Sequence, residues 1–283
     1  MTNSYTIGAD GVSIAVYDFG GDGPDLLLAH ATGFHAHVLE PMIGHLLASF
    51  HCYAFDARGH GASGVPDNGD FDWHRSAGDV LAVLDHLGLE RPYGFGHSAG
   101  GALVLLAEEQ VPGTWRALYT YEPVIFHPGL LAPPSEAPTA ATNPLAAGAL
   151  RRRTDFPSRA DAFANFAAKP PFSVLAPDAL RAYVEYGFVD RPDGSVTLAC
   201  RPESEAATYN NAQRHDAWSR LDQVTCPVTV AGGGLNPHFS PEVNQEVADR
   251  LVDGRVATFA GLGHFGPLED PARVAGAVID ALR

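Results

Sequence analysis

Basic residues are scarce in this 283-residue chain. Lys and Arg number 18 against 33 Asp and Glu, a formal net charge of −15 at pH 7. Lys169 is the sole lysine. Nucleic acid and anionic membrane surfaces both require clustered cations, so neither is expected as a partner. Cysteine is equally thin. Cys52, Cys200 and Cys226 cannot form a disulfide framework and have no metal-ligand spacing. Buried thiols in a reducing compartment, the cytoplasm, are expected instead. Long apolar runs are missing as well; none approaches the ~18 residues of a membrane span. The opening Met1-Thr2-Asn3-Ser4-Tyr5 shows no basic stretch leading into an apolar one, so no signal peptide is expected.

What the chain does have is core-forming material, 46% hydrophobic and 10% aromatic residues. Its pattern alternates short apolar runs with longer helical segments, which predicts a mostly parallel sheet covered by helices on both faces. Segments 4–8 and 12–17 flank a turn and predict a hairpin. Strands are expected at 26–29, 52–55, 92–96 and 117–121, and helices at 38–49, 75–87 and 100–110. The rhythm breaks over 127–148, rich in Pro and Ala, then gives helical segments at 158–168, 177–186 and 202–218. It resumes with strands at 228–231 and 255–259 and helices at 241–251 and 271–282. The expectation is therefore one α/β core, residues 1–123 and 218–283, interrupted by a mainly helical cap at 124–217.

Gly96-His97-Ser98-Ala99-Gly100 falls between a predicted strand and a predicted helix. It fits the G-x-S-x-G turn that projects a nucleophilic serine over a helix N-terminus. An isolated match of this kind also describes a turn whose serine only caps the helix. Downstream, His264 stands between Gly263 and Phe265 on the loop after the last predicted strand. From there it can reach over the sheet edge as general base to Ser98, then as general acid to a leaving group. The other histidines, among them His35, His37, His60, His97, His127 and His238, form no metal-binding spacing.

Together these segments resemble the α/β-hydrolase superfamily. His30-Ala31-Thr32-Gly33-Phe34 is similar to its oxyanion loop, with Ala31 where glycine is usual. Asp56-Ala57-Arg58-Gly59-His60-Gly61-Ala62-Ser63 is similar to its D-x-R-G-x-G-x-S loop. The resemblance implies an eight-stranded, mostly parallel sheet with a helical cap. It also implies an oxyanion hole made by the backbone N–H groups of Thr32 and Ala99. The family usually takes its triad acid from the strand after the cap, and there this chain has Asn236. Glu122 ends the strand before the cap, a position from which some members draw their acid. Glu122 is the acid, or Asn236 orients His264 as an amide, or the acid is another Asp or Glu whose place the sequence does not fix; Glu122 can also be read as a strand-end carboxylate paired with an arginine.

The function expected is that of a serine hydrolase cleaving a carboxylic ester or lactone with an apolar or aromatic acyl part. No cofactor or metal is implied, and the partner is a small-molecule substrate. Monomer and homodimer both remain open. Carbon–carbon cleavage of a β-diketone-like substrate, cofactor-free oxygenation and non-catalytic ligand reception on the same fold are the alternatives. The insertion's rings (Phe126, Phe156, Phe163, Phe166, Phe172, Tyr183, Tyr186, Phe188, Tyr209) either line a pocket or form the cap's own core. Arg151-Arg152-Arg153 either grips a substrate carboxylate or makes a solvated face.

Overall fold

The computed structural model describes residues 2–130 and 142–283. The stretch 132–138, at the heart of the Pro- and Ala-rich connection, lies outside the described residues. The chain opens with a hairpin, β1 (Thr2–Ile7) and β2 (Ser13–Gly20). It continues through β3 (Asp25–Ala29), α1 (Glu40–Leu46), β4 (His51–Phe55), α2 (Trp73–Leu87), β5 (Tyr93–His97), α3 (Ala99–Gln110) and β6 (Ala117–Tyr121). Then come α4 (Pro144–Leu150), β7 (Asp155–Phe156), α5 (Arg159–Ala167), α6 (Pro177–Tyr186), β8 (Phe188–Asp190), β9 (Val196–Leu198), α7 (Pro202–Asn211) and α8 (Ala217–Arg220). The chain closes with β10 (Val228–Gly233), α9 (Pro241–Ala248), β11 (Gly254–Phe259), α10 (Gly266–Glu269) and α11 (Pro271–Leu282).

Eight strands form one sheet in the order β1-β2-β4-β3-β5-β6-β10-β11. Pairing is parallel from β4 to β11 and antiparallel at the β1–β2–β4 end. Successive side chains of a strand point to opposite faces, and β3 shows the result. Leu26 and Leu28 join Met42 and Ile43 of α1 and Val274 and Val278 of α11 on one face. Leu27 and Ala29 join Val80 and Val83 of α2 and Val104 of α3 on the other. Strands buried on both faces read as continuous apolar runs, which is why this eight-stranded, mostly parallel sheet was legible.

Three expectations need correction. The helix expected over 38–49 starts as a 3-10 turn at Ala36–Leu39 and runs as α-helix only to Leu46. The segment 202–218 is two helices, since the chain turns after Asn211 and buries His215, whose ring stacks on Trp73. The insertion is not helical alone: β7, β9 and β8 form a three-stranded antiparallel sheet. Strands of two or three residues are too short to show a period.

Candidate active site

β5, β6, β11 and β3 run parallel, so their carboxyl ends share one edge, where open α/β sheets bind ligands. Ser98 follows β5 there with φ +56°, a left-handed conformation rare for a residue with a Cβ. Such a turn costs about 1–3 kcal/mol and persists only where its surroundings enforce it. Here they do. A Cβ on Gly96 would lie 2.4 Å from the Gly100 carbonyl oxygen, and one on Gly100 would lie 2.3 Å from that of Ala29. Only glycines let the turn close and α3 start directly against the end of β3. The Ser98 N–H also donates to the Tyr121 carbonyl at 2.9 Å.

Glu122 follows β6 with φ +44°, a second strained residue at the same edge. Its side chain is fully buried. Oε1 accepts from the Gly233 N–H at 2.9 Å. Oε2 accepts from Asn236 Nδ2 at 2.8 Å and stands 2.6 Å from His264 Nδ1. His264, on the loop after β11, places Nε2 at 3.0 Å from Ser98 Oγ. Since a carboxylate only accepts, the proton sits on Nδ1 and Nε2 offers its lone pair to the serine hydroxyl. The structure thus brings Ser98, His264, Glu122 and Asn236 together, with Asn236 on the carboxylate and not on the imidazole.

The His264 loop is held at four further points. Tyr121 donates its hydroxyl to the Gly263 carbonyl at 2.9 Å, and His97 Nε2 donates to the His264 carbonyl at 2.7 Å. The Glu269 carboxylate accepts from the N–H groups of Gly263 and Phe265. Burial, and then the neighbouring His264, pull the His97 pKa down to about 3, so it stays neutral. This role is not among those expected of His97 from sequence; its one signal there is the position of His97 inside the serine motif.

Thr32 and Ala99 line one cavity of about 20 Å³ together with His30, His60 and Trp73. Neither backbone N–H meets an acceptor among the described residues. The motif around Asp56 braces this loop: Asp56 accepts from Tyr17 Oη and from the N–H groups of Ala36 and Ala62. Arg58 forms a buried ion pair with Asp79 at 2.7 Å. Above the edge, the insertion divides its rings between two jobs. Phe156, Phe166 and Phe188 are buried against one another, whereas Phe172 and Tyr183 reach Phe34 of the oxyanion loop at 5.7 and 5.3 Å between centroids. Among the described residues, no three His, Cys, Asp or Glu are grouped to hold a metal ion, and no helix is long and apolar enough to cross a membrane.

The model of the family described as "Alpha/beta hydrolase family" matches residues 26–277. The chain belongs to that family. This hydrolase is 24% identical to 3-oxoadipate enol-lactonase 2 of Acinetobacter baylyi, over 94% of its own length and 91% of the relative's. It is 26% identical to 2-(acetamidomethylene)succinate hydrolase of Mesorhizobium japonicum, over 87% and 83%. A shorter match, 37% identical, covers 30% of this hydrolase and 30% of the magnesium-chelatase 30 kDa subunit of Rhodobacter capsulatus. Among solved structures, E-2-(acetamidomethylene)succinate hydrolase superposes with a TM-score of 0.84 at 22% identity, covering 99% of this hydrolase and 98% of that chain. The enol-lactonase from Burkholderia xenovorans superposes with a TM-score of 0.73 at 19% identity, covering 99% of each. The hydrolase is a hydrolytic enzyme whose relatives include esterases and lactonases.

Proposed function

We propose that this hydrolase cleaves a carboxylic ester or lactone through an acyl-enzyme on Ser98, with Glu122 as the triad acid. The observation that carries the reading is the continuous relay from Glu122 Oε2 to His264 Nδ1, 2.6 Å, and from His264 Nε2 to Ser98 Oγ, 3.0 Å. As Oγ attacks the acyl carbon, His264 takes its proton and the Glu122 carboxylate stabilises the imidazolium. The N–H groups of Thr32 and Ala99 receive the oxyanion, each contributing roughly 2.7–4 kcal/mol to the transition state. His264 then protonates the departing alcohol oxygen as the C–O bond breaks. A water, deprotonated by the same imidazole, attacks the acyl carbon and releases the acid and free Ser98.

Residues 124–217 act in this reading as a cap whose rings seat an apolar or aromatic acyl part. The rings of Phe34, Phe172, Tyr183 and Phe265 make a continuous apolar wall beside His264. The enol-lactonase relative, which opens a lactone by name, supports acyl–oxygen cleavage. The proposal includes a cytoplasmic monomer or homodimer without nucleic-acid or membrane partners. A fluorophosphonate and a series of p-nitrophenyl esters test the chemistry. Covalent labelling of Ser98 with steady ester turnover is expected; neither labelling nor turnover would end the reading. Labelling without turnover would move it to a receptor or a cofactor-free oxygenase.

A further inference from the structure

The three consecutive arginines of the insertion have three different fates. Arg151 is exposed, and the Arg153 guanidinium lies 4.2 Å over the Phe156 ring. Arg152 turns inward, its side chain only 15% exposed. Its Nη1 donates to Glu205, its Nη2 donates to the Tyr183 hydroxyl oxygen, and its Cζ stands 5.7 Å over the Phe172 ring.

Its location is what matters. A Cβ built on Gly33, whose φ is +81°, would lie 3.6 Å from Arg152 Nη1 and 2.7 Å from Glu205 Oε1. Gly33 directly follows Thr32, the residue assigned to the oxyanion hole. Phe34 follows in turn and touches Tyr183, Phe172 and Phe265, and the Phe265 ring is 5.4 Å from that of His264. The guanidinium is therefore a cation set against the apolar wall that joins the oxyanion loop to the base.

A buried guanidinium is a poor device for stability alone, because apolar residues of similar volume commonly do as well or better. Its donors are also not used up. Among the described residues, protein groups occupy two of the five N–H donors that an arginine carries. Tyr183 accepts from Arg152, so its own hydroxyl proton is left to donate, and it finds no acceptor among the described residues. A planar fork beside a hydroxyl matches a carboxylate.

We propose that Arg152, helped by the Tyr183 hydroxyl, receives a carboxylate carried by the acyl part of the substrate, so that the enzyme selects anionic esters or lactones over neutral ones. The inference rests on the acyl-enzyme reading for what that carboxylate is attached to. Glu205 holds one edge of the same guanidinium, and its charge opposes the incoming anion. Removing that charge must therefore strengthen the selection, whereas a purely structural ion pair would only be weakened.

The test compares mono-4-nitrophenyl glutarate with neutral 4-nitrophenyl butyrate, and adds free glutarate in a thermal-shift measurement that needs no turnover. Wild-type enzyme is expected to favour the glutarate ester in kcat/KM by about tenfold or more, the range of a charge-assisted hydrogen bond. Glutarate should also raise its Tm. In Arg152→Met the preference should fall to about unity and the Tm rise should vanish; Glu205→Gln should lower KM for the glutarate ester severalfold. Tyr183→Phe and Arg152→Lys, each expected to shrink the preference, decide the matter should Arg152→Met not fold. A preference unchanged in these variants, or equal losses on both esters, would overturn the proposal. Labelling of Ser98 with no preference and no glutarate shift sinks the carboxylate seat and leaves the hydrolase reading standing. A glutarate shift that depends on Arg152, without labelling, does the reverse.

Discussion

Asn236 donates its side-chain amide to the same Glu122 oxygen that faces His264, at 2.8 Å and 2.6 Å respectively. The residue standing where the family usually carries its acid thus holds a carboxylate from a different strand, the one proposed as the acid. With the Gly233 N–H on Oε1, the buried carboxylate has three polar partners, which is what a charge removed from water needs.

Replacing Glu122 by Gln keeps the shape and removes the charge. An amide also favours the wrong imidazole tautomer, and the comparable loss in serine proteases is about 10⁴ in kcat. Glu122→Gln should fold, as judged by circular dichroism, and lose most of its ester turnover. Near-wild-type kcat would sink the assignment of Glu122.

Asn236→Asp would set a second carboxylate at hydrogen-bond distance from Glu122. Like charges at that range cannot both ionise readily, so one of the two pKa values rises. The acidic limb of the kcat–pH profile should move upward by about one unit or more. An unchanged profile would mean that the amide does not act on the acid.

Tyr121 and His97 fix the carbonyls on either side of the His264 Cα, those of Gly263 and His264. Tyr121→Phe removes one of the two hydrogen bonds on the Gly263 carbonyl and leaves that from the Gly266 N–H, a loss of about 0.5–1.5 kcal/mol. It should lower kcat about tenfold while KM stays within twofold, because misplacing a base affects chemistry more than binding. Steady-state kinetics on one ester decides; a change in KM alone would show that the tie acts on substrate binding.

Five buried histidines are held neutral. His30, His35, His60 and His215 have pKa values pulled down to about 4 and His97 to about 3, burial being the largest cause in each. Depressed histidine pKa values mean that the unfolded chain takes up more protons than the folded one below its ordinary pKa of about 6.5. The histidines' contribution to stability is therefore complete above about pH 6.5 and is lost as pH falls towards 4. Tm measured from pH 7.5 to 4.5 should drop steeply below 6.5, and a flat profile would contradict this.

Glu109 of α3 works in the opposite sense. Both its carboxylate oxygens are buried without a partner among the described residues, and burial raises its pKa to about 8 against the pull of Arg220, with Asp216 and Asp222 adding to the rise. A raised carboxylate pKa makes the folded state bind the extra proton, so stability falls as pH climbs from about 4.5 to 8. Glu109→Gln should raise Tm by a margin that grows over that window and then levels off. A loss of Tm at pH 8 would refute it.

Most of the sheet was legible, because strands buried on both faces announce themselves as short apolar runs between glycines and helical periods. Ser98, His264 and the strand-end position of Glu122 were legible for the same reason: each is tied to the end of such a run. The arginine run was not. Whether Arg152 faces solvent or Gly33 depends on contacts with Glu205 and Tyr183, far away in sequence, and no local period encodes them. His97 and Tyr121 escaped in the same way, since their partners are backbone carbonyls, which carry no residue identity. The small antiparallel sheet was lost to brevity alone.

Because Glu122 lies upstream of the insertion, both Ser98 and the carboxylate bonded to His264, the proposed nucleophile and acid, belong to one uninterrupted stretch of sheet that is complete before residue 124. The loop after β10, relieved of supplying a charged group, need contribute only a donor. The insertion is consequently the part of the molecule that can be exchanged without rebuilding the chain of hydrogen bonds from Glu122 through His264 to Ser98, whereas the loop after β10 must keep its donor to Glu122.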